Sequence, residues 1–423
     1  MQTSAHSTTH TQTNSGRRRA ELTFKHNASL GRHGWLRLTP AYSVRVVDDI
    51  LAKHPRSDRV VDPFSGTGTT ALCAAQRGHE AVSFDINPFL VWFGNLKLAI
   101  FSHEELDEAR DMGEQAVHSA LAKRSRAAAS PPLSNIERWW DGEDLSFLRR
   151  LSCAIQCLPR ASDHARDLVR VAFCRSMIGL SNAAFNHQSM SFKSRDGRRR
   201  GHGGDSDWRV RCGARFRRDL QTVLAGAARN PLARARVIEA DARALPRAFQ
   251  RGADLLITSP PYPNRMSYIR ELRPYMYWLG FLREKRDAGE LYWRAIGGTW
   301  GIATSRVGAW QRRADTFFPD YTPAILGKIR EADAASGDVL SRYVGKYFED
   351  IWSHLRSALA IVRRGASLHY IVGNSKFYDV VVPTELIYRD MLLEAGASRV
   401  DVVPLRKRNS KKELIEFDVI AVR

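Results

Sequence analysis

A chain of 423 residues, 43% of them hydrophobic, exceeds one typical domain and can bury a substantial core, so a catalytic domain with inserted or appended modules is expected. Its formal net charge of +20 and pI near 10.1 point to a polyanionic partner, nucleic acid being the simplest because Lys and Arg contacts to phosphate supply most of its non-specific affinity; a solvated basic surface is the competing account. The five cysteines (Cys73, Cys153, Cys157, Cys174, Cys212) lack paired CxxC spacing, and neither a membrane-length apolar run nor a hydrophobic signal core is present, which argues against a disulfide framework, a zinc site and a membrane span and leads us to expect a cytoplasmic protein.

Taken in chain order, residues 1–20 are rich in Ser, Thr, His and Gln and end in Gly16-Arg17-Arg18-Arg19, the composition of a mobile basic tail. His33 to Ser43 and the amphipathic run 44–51 precede Val60-Val61-Asp62-Pro63-Phe64-Ser65-Gly66-Thr67-Gly68-Thr69-Thr70, which reads as strand, glycine loop and helix start. Glycines there let the backbone turn tightly and approach a ligand, and the helix start offers unpaired N–H groups. The next strand, 81–85, ends in Asp85, where a carboxylate can grip the two hydroxyls of a ribose. Gly66-x-Gly68-x-x-Ala71 with Asp85 also satisfies a dinucleotide fingerprint, so an NAD-dependent oxidoreductase is one reading; no Gly-Lys-Ser/Thr follows, which excludes a Walker loop.

A helix over 88–100 follows, and the strand pattern is then interrupted from about 103 to 235 by helical periodicities at 104–121, 163–180 and 216–228. Cys153 and Cys157, one helical turn apart in an apolar stretch, read as core packing. Between the second and third helices lies a polar loop with Asn182, Asn186 and Gln188, the rings of Phe185 and Phe192, and Lys193, Arg195, Arg198, Arg199 and Arg200. Amides can read base edges, arginines bind phosphate or guanine, and rings stack, so this loop is a candidate nucleic-acid surface; a solvated basic loop is the alternative. His187 reads as an ordinary surface histidine.

The strand pattern resumes at 236–241, ending in Asp241, and again at 253–257, followed by Thr258-Ser259-Pro260-Pro261-Tyr262. Two consecutive prolines cannot continue a sheet ladder, so this strand stops at the carboxyl edge of the sheet, where ligands of open α/β folds sit. The Ser259 hydroxyl and the Pro260 carbonyl can be held there as acceptors beside the face of Tyr262, a site suited to an aromatic ring bearing an amino group. An aromatic-rich helix spans 268–282, with Arg265, Arg270 and Arg273 just beyond the loop. Residues 286–340 read as an irregular basic stretch containing Gly297-Gly298 and Arg294, Arg306, Arg312 and Arg313. A helix at 343–362, a strand at 367–372, a helix at 383–395 and strands near 398–404 and 415–422 close the chain, with Arg406, Lys407, Arg408, Lys411 and Lys412 forming a basic hairpin tip.

Together DPFSGTGTT (62–70), FDINP (84–88) and TSPPY (258–262) resemble the S-adenosylmethionine-dependent amino-methyltransferases of DNA, and the serine form of the last motif looks like the cytosine-N4 branch; adenine-N6 relatives usually carry Asp or Asn in place of Ser259. The resemblance implies an α/β, Rossmann-like methyltransferase fold with a mostly parallel seven-stranded sheet interrupted by a largely helical insertion. The expected division is a flexible basic tail at 1–22, methyltransferase parts at 23–102, 236–285 and 341–423, a mostly helical insertion at 103–235 that is a candidate for target recognition, and an irregular basic insertion at 286–340. S-adenosylmethionine would be held by Thr39, Tyr42, Asp62, Pro63, Phe64, Gly66, Gly68, Thr69, Asp85, Ile86, Asp241 and Thr258. Ser259, Pro260, Pro261 and Tyr262 would form the catalytic loop, with Ser259 and Pro260 accepting the amine hydrogens and Tyr262 stacking on a flipped base. Asn186, Gln188, Lys193, Arg195, Arg198, Arg199, Arg200, Arg265 and Arg270 would contact duplex DNA, no metal being required. A cognate restriction endonuclease would share the recognition site without a stable complex. Adenine-N6 methylation, methylation of RNA or protein, and nicotinamide oxidoreduction are the other readings, in that order.

Overall fold

A computed structural model of the protein describes residues 24–38, 42–158, 162–184, 191–192, 208–264, 268–298, 302–408 and 413–423. After short 3-10 turns at Phe24–Ser29 and Gly31–Gly34, helix α1 (Val44–Leu51) is capped by the Ser43 hydroxyl and leads to strand β1 (Val60–Asp62), helix α2 (Thr69–Arg77) and strand β2 (Ala81–Asp85). Helix α3 (Pro88–Leu98) begins with proline at its start and the Asn87 side chain as cap, both suited to a helix N-terminus.

Helices α4 (His103–Leu121), α5 (Ile136–Trp139), α6 (Gly142–Cys157), α7 (Asp163–Gly179) and α8 (Trp208–Ala227) follow, with a two-residue pairing of β3 (Ala183–Ala184) and β4 (Ser191–Phe192) between the last two. Their buried faces, together with α3 and the aromatic residues of α9 (Tyr268–Trp278), build one continuous core that contains Phe89, Phe93, Phe147, Phe173, Phe216 and Trp278. Helix α6 went unrecognised in the sequence, and its Cys157 is exposed and Cys153 only half-buried, so core packing does not account for that pair.

Strands β5 (Ala235–Glu239) and β6 (Ala253–Thr258) return the chain to the sheet. The stretch expected to be irregular is largely helical, with α10 (Lys285–Arg294), α11 (Ile302–Gly308) and α12 (Thr322–Glu331) leading into the long α13 (Gly337–Ile361). Buried Leu291, Tyr292, Val307 and Ile329 supply the apolar faces that the local run of glycines and arginines obscures. Strand β7 (Val362–Gly373), a small hairpin of β8 (Ser375–Phe377) and β9 (Val380–Val382), helix α14 (Thr384–Glu394), and strands β10 (Arg399–Lys407) and β11 (Ile415–Val422) complete the fold.

The seven-stranded sheet has the order β10-β11-β7-β6-β1-β2-β5. Strands β7, β6, β1, β2 and β5 pair in parallel, whereas β11 lies antiparallel to both β7 and β10. This is a Rossmann-like, mostly parallel sheet of the methyltransferase type. Side-chain alternation covers both faces: Val60, Leu255, Ile257 and Ile371 pack under α1 and α2, while Val61, Leu256, Leu368 and Tyr370 pack under α13 and α14.

The N-terminal turn is stitched to this framework by Arg32, which is 1% exposed. Its guanidinium donates to the carbonyls of Lys97 and Ala99 at the end of α3, to those of Gly226 and Ala227 at the end of α8, and to Asn230 Oδ1. These are carbonyls that a helix end leaves without an intrahelical partner. Among the described residues no helix is long and apolar enough to cross a membrane.

Candidate active site at the sheet switch point

Chain order reverses between β1 and β6: from β1 the sheet grows through β2 and β5 on one side, then restarts with β6 on the other. The crevice at the carboxyl ends of such a pair is where open α/β sheets bind ligands. Asp62 ends β1 and Thr258 ends β6, and the Thr258 hydroxyl donates to Asp62 Oδ1 across the crevice at 2.5 Å, with the Phe64 N–H donating to the same oxygen at 3.0 Å. The other oxygen, Oδ2, is buried and makes no hydrogen bond of good geometry. The nearby Thr70 hydroxyl is committed to the Ile257 carbonyl and accepts from Tyr42. Burial pushes the Asp62 carboxyl up to about 6.

The glycine loop is gripped from two sides. Gly66 and Gly68 adopt positive φ values of 50° and 72°, which glycine alone takes without strain, and Gly68 is the N-cap of α2. Asp85 accepts the Gly66 N–H at 2.8 Å through one oxygen and the Asn87 N–H at 2.9 Å through the other; burial raises its carboxyl to about 7 despite both bonds. On the far side, buried Lys97 donates to the Thr67 carbonyl at 2.6 Å, and desolvation lowers its ammonium to about 7. Thr67 and Thr69 share a hydroxyl bond, Pro63 is buried, and Phe64 lies edge-on to His354 with ring centroids 4.7 Å apart. Ile86 is partly buried against the helical core.

Asp241 lies two residues past the end of β5. Burial pushes its carboxyl up, but bonds from the Arg243 backbone and guanidinium outweigh that and leave it below the usual range. Arg243 also binds Asp350 on α13 and the Arg294 carbonyl. Asp62, Asp85 and Asp241 thus sit at or just beyond the carboxyl ends of β1, β2 and β5, around a glycine loop whose Gly66 N–H is held by Asp85. An unpaired buried carboxylate oxygen beside two further acids fits a nucleoside cofactor that also carries positive charge.

The loop after β6 completes the crevice. The Ser259 hydroxyl donates to the Ile371 carbonyl on β7 at 3.1 Å. Pro260 is buried, the Pro261 carbonyl accepts from the Tyr347 hydroxyl at 2.8 Å, and the Tyr262 hydroxyl donates to Glu416 Oε1 on β11 at 2.9 Å. Burial and the charge of Glu416 hold the Tyr262 phenol well above its ordinary value. The Arg408 guanidinium lies 4.7 Å from the Tyr262 ring centroid, so one face of that ring is already covered.

The structure therefore gathers Tyr42, Asp62, Pro63, Phe64, Gly66, Gly68, Thr69, Asp85, Ile86, Asp241 and Thr258 around the same sheet edge as Ser259 to Tyr262, while Thr39 lies outside the described residues. Sequence reasoning missed Lys97, Tyr347, Ile371 and Glu416, and it misassigned two arginines. Arg406 is paired with Glu416 at 2.7 Å, and Arg408 donates to the Asn374 carbonyl, so both turn inward instead of forming an outward basic tip. Asn182 is likewise not a surface reader: it is fully buried and donates to Asp141. Phe192 packs against Trp139 and under Arg138. Arg270 is half-buried on α9, and Asn186, Gln188, Lys193, Arg195, Arg198, Arg199, Arg200 and Arg265 lie outside the described residues.

The strand order and the glycine loop define a Rossmann-like nucleotide-cofactor fold of the methyltransferase class. A family model described as D12 class N6 adenine-specific DNA methyltransferase matches residues 44–119. Over 467 residues the chain is 19% identical to the Type II methyltransferase M.BsoBI of Geobacillus stearothermophilus, covering 95% of this chain and 86% of that protein. Among solved structures, TrmN from Thermus thermophilus aligns with 11% identity and a TM-score of 0.29, covering 95% of this chain and 53% of its own. The rRNA methyltransferase aviRa from Streptomyces viridochromogenes gives the same identity and TM-score, covering 94% and 92%. The chain is thus similar over 44–119 to a DNA methyltransferase family model and over most of its length to a Type II methyltransferase.

Proposed function

We propose that this protein transfers a methyl group from S-adenosylmethionine to the exocyclic N4 amine of a cytosine flipped out of duplex DNA, as the modification enzyme of a restriction-modification system. The observation that carries the reading is the orientation of Ser259. Its hydroxyl donates to the Ile371 carbonyl at 3.1 Å and meets the Tyr262 hydroxyl at 3.5 Å, which leaves a lone pair to accept from an amine held at the sheet edge. The cofactor supplies an electrophilic methyl on a sulfonium. Asp85 would bind the ribose hydroxyls, Asp241 the adenine amine, and the unpaired Oδ2 of Asp62 the positively charged end.

The cytosine amine is a weak nucleophile because its lone pair is delocalised into the ring. Ser259 Oγ and the Pro260 carbonyl, each accepting one amine hydrogen, draw the nitrogen towards tetrahedral geometry and turn the lone pair to the methyl. Methyl transfer to the nitrogen would leave the cofactor as a neutral thioether, and the proton that the methylated amine then loses would pass to solvent at the sheet edge. Tyr262 stacks on the extruded base and offsets part of an unstacking cost of a few kcal/mol. Positioning, which can supply roughly 7–11 kcal/mol of a barrier, would carry much of the catalysis.

Adenine-N6 methylation is the second reading, favoured by the description of the matching family model. That match covers 44–119, the glycine loop and Asp85, and ends before the loop that would meet the target base. The test is to incubate the enzyme with duplex DNA and S-adenosylmethionine, digest the DNA to nucleosides and analyse them by mass spectrometry. N4-methyldeoxycytidine is expected; N6-methyldeoxyadenosine would transfer the activity to the second reading, and methylation confined to RNA or protein would overturn both.

A further inference from the structure

Two prolines in succession leave the catalytic loop short of handles. Neither Pro260 nor Pro261 has an N–H to donate, so the backbone of this loop is held chiefly through its carbonyls. One of them, that of Pro261, is taken by the Tyr347 hydroxyl at 2.8 Å. The Tyr347 hydroxyl also meets the Tyr388 hydroxyl of α14 at 3.0 Å; with its own proton on Pro261, Tyr347 accepts there, so Tyr388 is the donor. Tyr347 is 1% exposed, and its ring is edge-on to Phe348, so the phenol is fixed from both sides.

One helical turn earlier on the same face of α13, Tyr343 donates to the Gly297 carbonyl at 3.4 Å. Gly297 sits at a φ of +76°, and a Cβ there would be 3.7 Å from Pro261 Cβ, so the Gly297 turn forms the back wall of the proline loop. One turn beyond Tyr347, Asp350 accepts from Arg243 at 3.0 Å, and two turns beyond it His354 donates through Nδ1 to the Ala242 carbonyl at 2.9 Å. Both contacts fix the turn that presents Asp241. A single helix therefore holds the acid turn beyond β5 and the loop beyond β6, with seven residues, or roughly 10 Å of helix, between Tyr347 and His354.

Because the Pro261–Tyr262 peptide is planar, fixing its carbonyl also fixes where the Tyr262 nitrogen and Cα lie, the base from which its side chain departs. We infer that Tyr347 is a positioning residue for methyl transfer, acting through the Pro261 carbonyl to set the plane of the Tyr262 peptide and hence the pose of the target base against Ser259 and Pro260. The inference rests on the methyltransferase reading above. Tyr347 touches neither substrate nor cofactor, and its contribution lies in the geometry of the loop that does.

The test uses the full-length Tyr347→Phe variant, which keeps the ring and removes the one donor. Three readouts are expected to separate. The S-adenosylmethionine dissociation constant stays at its wild-type value, and the thermal midpoint falls by only a few degrees, the scale of one buried hydrogen bond. The single-turnover methyl-transfer rate on duplex DNA falls roughly 10- to 100-fold, with KM for DNA little changed, as a misplacement of the reacting groups requires. Hydrogen exchange in the peptide covering 256–264 becomes faster. An unchanged transfer rate, or a loss confined to KM, overturns the inference, as does wild-type exchange in that peptide. Exchange is read without turnover, so the two ideas fail separately. A wild-type enzyme that methylates no DNA removes the reaction and the positioning role with it, whereas normal exchange in the variant removes the latch alone.

Discussion

Replacing Asp62 by Asn should make the cofactor-free protein more stable while weakening cofactor binding. The Asn Oδ1 can keep the bonds from Thr258 and the Phe64 N–H, and its amide replaces an oxygen that has no good partner to lose. What disappears is a buried charge. Burial raises the Asp62 carboxyl from 3.8 to about 6, which corresponds to about 3 kcal/mol at pH 8. A folded pKa above the unfolded one means that the neutral acid contributes its full stability below 3.8 and that this is lost as pH rises through about 6. By pH 5 roughly half of the effect has developed, so the advantage of the variant should grow by about 1 kcal/mol between pH 5 and pH 8. Urea unfolding of wild type and Asp62→Asn at both pH values, followed by circular dichroism, measures it. Calorimetry at pH 8 should show S-adenosylmethionine binding weakened roughly tenfold or more, the scale of one charged hydrogen bond. A stability gap that is flat in pH would refute the reasoning, since it would mean that the carboxylate is ionised in the fold without cost.

Ser259→Ala removes the proposed amine acceptor and should lower the single-turnover transfer rate roughly 100-fold, comparable to the loss of one well-placed polar group in an active site, while cofactor affinity holds; equal losses in both would count against the assigned role. Gly94→Ala places a Cβ 2.6 Å from Val237 Cγ2, where α3 meets β5, and should cost about 1–3 kcal/mol, read as a lower thermal midpoint that Val237→Ala in the same chain largely restores. A wild-type midpoint for the single variant would show that α3 shifts freely on the sheet.

The part of the candidate site built on the glycine loop was legible because its signals are local. Val60 to Thr70 contains strand, turn and helix start in eleven consecutive residues, and Asp85 ends the next strand, so periodicity and glycine placement were enough. The part built on the loop after β6 was only partly legible. Ser259 to Tyr262 announced a strand end, but Glu416, 154 residues further on, reaches the Tyr262 hydroxyl only because β11 inserts antiparallel between β7 and β10. No local pattern encodes that insertion. Arg406 and Arg408 looked like a solvent-facing basic tip because their number was visible in the sequence and their partners Glu416 and the Asn374 carbonyl were not. Asn182 failed in the same way: a polar side chain in a polar run is buried here because Asp141 satisfies it. By contrast, α6 could have been found, since Leu148, Leu151 and Ile155 recur at helical spacing and are all buried.

The Arg32 stitch bears on how the chain comes to be folded during synthesis. Its hydrogen bonds reach 65 to 198 residues along the chain, as far as Asn230. At roughly 5–20 residues per second, an emerging Arg32 waits about 10–40 s before the last of its acceptors has been made. The turn that carries Arg32 is therefore made well before its acceptors and is among the last parts of this half to dock. It closes the helical core only after α8 has arrived, and it makes the completion of that half conditional on residues at both ends of it.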